Sequence, residues 1–188
     1  MMGEALVFLF DTLVQPYAAI LLLRFHAVWL RVPMRNPLGE FIMAITDFLV
    51  LRARRFIPAA AGLDSATLLL ALLFELLYLG VLFSVQGDVS HGLPLAGLLA
   101  LAVVKLLKIS LYLLMAAVFA QAILSWVNPY TPVAPMLNAL TQPFLQPLRR
   151  VIPLLGNFDL SPLLLLIVCQ LMVIVPIGAL ERLTLALF

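Results

Sequence analysis

The chain has 188 residues, of which 65% are hydrophobic and 11% charged, and its mean hydropathy is +1.18. So few polar residues cannot cover the surface of a water-soluble globule of this size, which excludes a soluble domain and indicates an integral membrane protein. The formal net charge is only +2, and the single cysteine and two separated histidines exclude an intramolecular disulfide and argue against a metal site.

Four apolar runs are long enough to cross a bilayer as helices. We place these spans near residues 6–30, 64–86, 103–127 and 161–184. The connections after the first and third spans are 33 residues long, whereas the central link is short and polar. The stretch 93–104 is also apolar, and it forms either an interfacial segment or a tilted extension of the third span.

An internal repeat lies in the two long connections. Residues 37–64 and 132–159 align without a gap at an offset of 95, with eight identities in 28 positions. Most of these identities are Pro, Thr, Arg or Asp, which rarely match by chance in so apolar a chain. The sequence therefore predicts two repeats, 1–90 and 91–188, each made of a helix, a long connection and a helix. Because two spans separate equivalent points, the repeats have parallel topology, and the fold class is an all-α membrane protein.

Each long connection carries an amphipathic pattern. In the second, polar residues recur at helical spacing opposite an apolar face: Asn138, Gln142, Gln146 and Arg149. In the first, Glu40 and Asp47 mark a polar edge. The pattern predicts an amphipathic helix that lies in the membrane interface. We expect Pro143 and Pro147 to end the second helix, because proline lacks an N–H donor.

Basic residues are concentrated in the same connections. The connections hold seven arginines, against three basic residues near the opposite face. The positive-inside rule then places both connections in the cytoplasm and both termini outside. Two arginine pairs, Arg54–Arg55 and Arg149–Arg150, follow the amphipathic segments. We expect them to contact anionic phospholipid headgroups or a partner protein.

Two charged residues lie inside predicted spans. Glu75 is near the middle of the second span, and Arg24 is near the end of the first. An intramembrane charge is a functional hypothesis by default. Their depths are similar, so we expect an ion pair, with proton relay or cation binding by Glu75 as the alternative. Asp64 and Asp159 stand just before apolar runs and are predicted to cap those helices.

Three motifs stand out in the second repeat: Ser125-Trp126, the run Thr141–Pro153 and Phe158–Pro162. They resemble the repeat of the YggT family, which is called YlmG in some bacteria and in plastids, and the resemblance covers nearly the whole chain. The family's apolar-Arg start is matched by Arg24, whose second-repeat counterpart we place at Ser125. The resemblance implies a small multi-pass protein of the bacterial inner membrane, with relatives linked to osmotic stress, ion homeostasis and envelope organisation.

No catalytic motif is present in the sequence, which lacks a Gly-rich phosphate loop, a His-Glu zinc pattern and a Gly-x-Ser-x-Gly elbow. We therefore expect neither an enzyme nor a bound cofactor. The arginine pairs lack the aromatic or Lys-rich surroundings of a nucleic-acid site. Two function classes remain: a scaffold or assembly factor that holds other membrane proteins or organises lipid, and an ion channel or transporter component that works as a homo-oligomer.

Overall fold

A computed structural model describes residues 2–57, 63–86, 95–151 and 159–186, and nearly all of them are helical. The helices are α1 (Met2–Trp29), α2 (Pro37–Ala53), α3 (Ser65–Gln86), α4 (Leu95–Val127), α5 (Ala134–Val151), α6 (Ser161–Met172) and α7 (Gly178–Leu185). A π-helical segment, Val173–Ile177, joins α6 to α7 without a break.

The four predicted spans are confirmed. Four helical stretches of the described chain are long and apolar enough to cross a membrane: α1, α3, α4, and α6 with α7. The uncertain stretch before the third span belongs to α4 from Leu95 onward. At 33 residues, α4 is about 49 Å long, which exceeds the roughly 30 Å of bilayer hydrocarbon, so it must tilt or project beyond the bilayer.

The helices α2 and α5 lie in the two long connections. We call the end of the four spans that these connections join the connection side. There α1 ends in a Schellman motif, in which Val32 donates to the carbonyl of Ala27 at 2.8 Å and Arg31 donates to that of Val28 at 3.2 Å. Arg31 takes the left-handed conformation, with φ of 53°, which usually requires glycine.

The start of α2 is a tight turn. The side chain of Asn36 accepts a hydrogen bond from the Gly39 N–H at 2.9 Å, and Pro37 occupies the first helical position. A Cβ atom on Gly39 would lie 2.3 Å from the carbonyl oxygen of Met34. Glycine is therefore required at this close approach of two backbone segments.

The prediction that Pro143 and Pro147 end the second connection helix is wrong, because α5 continues through both to Val151. Both prolines lie on its exposed face. A proline leaves one backbone carbonyl of the helix without its N–H partner. On the exposed face that carbonyl is not buried in the core, so the loss of the hydrogen bond destabilises the helix less. The opposite face, with Met136 and Leu145 fully buried, holds the helix in place.

Each repeat buries its connection helix against its own spans through matching residues. In the first repeat Val50 of α2 packs with Leu21 of α1 and Leu70 of α3. In the second, the cluster contains residues at the corresponding positions: Val118 of α4, Leu145 of α5 and Leu165 of α6. The sequence repeat is thus also a repeat of core packing. A further cluster joins the two repeats, since Met136 and Leu140 of α5 pack with Ala27, Val32 and Ile42.

Candidate functional site

An arginine–aspartate pair joins the end of α2 to the start of α3. Arg54 donates from Nε and Nη2 to the two carboxylate oxygens of Asp64, at 3.2 and 2.6 Å. The Asp64 side chain is only 4% exposed, whereas that of Arg54 is 41% exposed. Two parallel bonds to a buried carboxylate fix both the distance and the orientation of the two helix ends.

The second repeat has the same pair at an offset of 95 residues. Arg149 donates from Nε to Asp159 at 2.8 Å, although here the aspartate side chain is 30% exposed. Arg54 and Arg149 are thus engaged within the chain, which the prediction of headgroup contact did not anticipate. Arg55 and Arg150 are exposed and form no ion pair with any other residue in the described ranges.

Asp64 caps α3, whereas Asp159 precedes Leu160, the N-cap residue of α6, and bonds to the first helical N–H. Asp64 accepts hydrogen bonds from the backbone N–H of Thr67 at 3.4 Å and from its hydroxyl at 2.5 Å. Asp159 accepts from the Ser161 N–H at 2.9 Å. These acceptors satisfy N–H groups that have no partner inside the helix.

The two carboxylates are ionised at neutral pH. Burial raises the pKa of Asp64, but hydrogen bonds from Arg54 and Thr67 outweigh burial and hold this pKa below its ordinary 3.8. Burial likewise raises the pKa of Asp159, and hydrogen bonds from Ser161 and Arg149 lower it below the ordinary value. Each site therefore holds a charged pair.

The predicted pairing of Arg24 with Glu75 is wrong. Arg24 is buried and donates from Nη1 to the Thr46 hydroxyl at 2.6 Å and to the Asp47 carboxylate at 2.7 Å, both in α2. Because α2 folds back onto α1, it brings a carboxylate close to the end of the span. Arg24 is five residues from the end of α1 and Glu75 ten from the start of α3, about 7.5 and 15 Å from the connection side.

Glu75 instead contacts an amide that sequence reasoning missed. Its side chain is fully buried, and Gln15 of α1 donates to its two oxygens at 3.3 and 3.5 Å. The only feature of the sequence that pointed to a contact by Gln15 was its position as a polar residue inside a span. A second missed contact joins α4 to α7, where Lys105 and Lys108 lie 3.1 and 2.7 Å from the Glu181 carboxylate.

In the second repeat, Gln121 occupies the position that corresponds to Arg24. Its amide donates to Asn138, and the hydroxyl of Thr141 donates to its carbonyl oxygen. Thr141 is the repeat counterpart of Thr46, so a polar residue of the first span binds the same threonine in both copies. Gln121 stands five residues before a tryptophan, as Arg24 does, which corrects the predicted counterpart Ser125.

Side-chain hydrogen bonds and ion pairs attach each connection helix to its neighbouring spans at two points. A polar side chain from the preceding span binds its middle, and an Arg–Asp pair ties its end to the following span. These contacts hold each connection helix against the spans that precede and follow it.

Comparison with known proteins finds a match to the sequence model of the CCB3/YggT family over residues 3–85 and 100–180, one stretch in each repeat. The uncharacterised protein YggT of Escherichia coli K12 is 34% identical over 165 residues, covering 87% of this chain and 85% of that protein. The uncharacterised protein PA0392 of Pseudomonas aeruginosa is 32% identical over 185 residues, covering 97% and 93%. An uncharacterised Vibrio alginolyticus protein from the proC 3′ region is 34% identical over 170 residues, covering 89% and 90%. No solved structure matches the chain.

Proposed function

The chain belongs to the CCB3/YggT family, and from that premise we propose that it is a non-enzymatic scaffold or assembly factor of the bacterial inner membrane. In this proposal α2 and α5 form a platform on the cytoplasmic face that holds other membrane proteins. The seven arginines of the two connections support this orientation, which puts both termini outside.

The observation that carries the proposal is that α2 and α5 are held by corresponding polar contacts in the two repeats. A buried arginine or a glutamine holds Thr46 and Thr141, and an Arg–Asp pair secures the end of each helix. Polar groups near the connection side are thus used to hold two helices rigidly. Rigid presentation lowers the entropy lost when a partner binds, which is what a docking platform requires.

The outer faces of the two helices differ in chemistry. Phe41 and Phe48 of α2 are each 56% exposed, so this face is apolar. The exposed face of α5 carries Gln142 and Gln146. We place α2 among the acyl chains and α5 nearer the headgroups, with the exposed Arg55 and Arg150 against anionic phospholipid. A membrane protein partner would meet one apolar and one polar helix.

Affinity purification from native membranes, with quantitative mass spectrometry, tests the scaffold. The variant Thr46→Val/Thr141→Val removes both hydroxyls but keeps their shape, and it should lower recovery of a stoichiometric partner several-fold. Thr12→Val is the matched control, because the Thr12 hydroxyl donates within its own helix, to the Phe8 carbonyl at 2.7 Å. Recovery of the partner that is unaffected by the double substitution would contradict the platform.

The second candidate is an ion channel or transporter component. The observation that favours it is Glu75, a fully buried carboxylate inside a span with one amide donor. Four spans would have to assemble as a homo-oligomer to enclose a path. Ion flux into proteoliposomes separates the two: flux abolished by Glu75→Gln in a folded protein would favour transport, and its absence in the wild type would favour the scaffold.

A further inference from the structure

A long apolar cavity of about 410 Å³ lies between the two repeats. Its walls come from the end of α1, the middle of α4, α5, and the π-helical junction of α6 with α7. Along α4 it extends from Leu107 to Ala117, a rise of about 15 Å. Trp29 and Phe144 line it at the connection side.

Irregular backbone borders this groove at two places. One is the π-helical segment Val173–Ile177, in which Pro176 and Ile177 line the cavity. Such segments are rare and frequently lie at functional sites. The other is Arg31, a non-glycine residue with φ of 53° that directly follows the lining residues Trp29 and Leu30. The chain thus places an arginine at a position where glycine would be less strained.

We propose that this groove binds one acyl chain of an anionic phospholipid, whose phosphate is held by Arg31. The site is separate from Arg55 and Arg150, and it does not depend on the scaffold proposal. It is a defined binding position between the repeats, distinct from general contact with the bilayer.

The chemistry of the lining favours an alkyl chain. The lining is almost wholly apolar, with His26 and Ser110 as its polar members, and both bond to carbonyls of their own helices. An alkyl chain therefore leaves these two hydrogen bonds intact.

The exposed arginine that follows Trp29 and Leu30 in the chain favours an anionic headgroup. Arg31 is exposed, and within the part of the chain that the structure describes it forms no ion pair. Trp29, which lines the mouth and is 51% exposed, is of the type that lies at headgroup depth. A guanidinium next to that depth can hold a phosphate by paired hydrogen bonds.

A photoactivatable phosphatidylglycerol with a diazirine on its acyl chain tests the site in nanodiscs of phosphatidylcholine that contain the full chain. We expect labelling at Leu114 and Met172 to exceed labelling at Leu73, an exposed residue of α3, by at least fivefold. The variant Ala117→Phe fills the groove and should remove that excess. Ala116→Phe adds the same volume on the exposed neighbouring residue and should leave it unchanged.

The headgroup is tested separately, so that the result does not depend on a core variant that fails to fold. Unlabelled phosphatidylglycerol should compete at least fivefold better than phosphatidylcholine. Arg31→Asn tolerates the left-handed conformation and should abolish that preference, Arg31→Lys should retain it, and Arg35→Asn, an exposed arginine four residues away, should not change it. Even labelling of all lipid-facing residues, or equal competition by both lipids, would overturn the proposal.

Discussion

The Arg–Asp pairs differ in burial, and this predicts a difference in their effect on stability. Asp64 accepts two bonds from Arg54 and two from Thr67, and its side chain is 4% exposed. Asp159 accepts one bond from its arginine and one from a backbone N–H, and it is 30% exposed. Asp64→Asn should therefore destabilise the fold more than Asp159→Asn.

The expected magnitudes follow from these contacts. Hydrogen bonds to a charged group contribute about 1.5–3 kcal/mol each, and breaking a buried pair costs about 3–5 kcal/mol. Arg54 is 41% exposed, so solvent screening reduces the loss, and we expect about 2–3 kcal/mol for Asp64→Asn. The more exposed Asp159 should lose about 0.5–1 kcal/mol.

Equilibrium unfolding in mixed detergent micelles, followed by helical circular dichroism, measures both losses. Glu40→Gln, at an exposed acid of α2, is the control and should change the free energy of unfolding by less than about 0.5 kcal/mol. A double-mutant cycle with Arg54→Gln should give a coupling of about 1–2 kcal/mol. Equal losses at the two aspartates, or additive effects in the cycle, would refute the reasoning from burial.

Three further predictions concern pH, backbone contact and topology. Because the folded-state pKa of Asp64 is below its ordinary 3.8, its pair stabilises the fold fully above that ordinary pKa. The stability gap between wild type and Asp64→Asn should narrow as the pH falls below 3.8 and close only below the folded-state pKa. Gly39→Ala should lower the free energy of unfolding by more than about 1 kcal/mol, because the new Cβ meets a backbone carbonyl at 2.3 Å, whereas Gly80→Ala, with nothing within 4 Å, should be neutral or stabilising by about 0.5 kcal/mol. In a cysteine-free background, a cysteine at Arg35 should resist an impermeant thiol reagent in intact cells and one at Met2 should react; the reverse would invert the orientation.

The spans, the repeat and the cap at Asp64 could be predicted because each depends on local sequence. Hydropathy sets the spans, and an aspartate just before an apolar run sets the cap of α3. The Arg–Asp pairs were within reach of the same reasoning. Arginine and aspartate recur ten residues apart in both copies, and two ionisable residues kept at one spacing in a repeat indicate a contact between them.

Partners of buried polar residues could not be predicted, because they depend on how the helices fold back. Arg24 had a candidate carboxylate in another span, and nothing local indicated that α2 would supply Asp47 instead. The continuity of α5 through Pro143 depends in the same way on tertiary packing, since the buried face of the helix outweighs the lost backbone bond. Gln121 could not be recognised as the counterpart of Arg24 because the second repeat has a glutamine where the first has an arginine.

Site-specific photocrosslinking in living cells tests the central claim, that α2 and α5 hold other membrane proteins, most directly. A photoreactive amino acid would replace Phe48 on the exposed face of α2, Gln142 on that of α5, and Leu73 on the lipid-facing surface of α3. The platform predicts that the same membrane protein is captured from Phe48 and Gln142, that Leu73 does not capture it, and that Thr46→Val/Thr141→Val removes the capture. Crosslinking of lipid alone from both connection helices, with no protein adduct at either position, would contradict the scaffold.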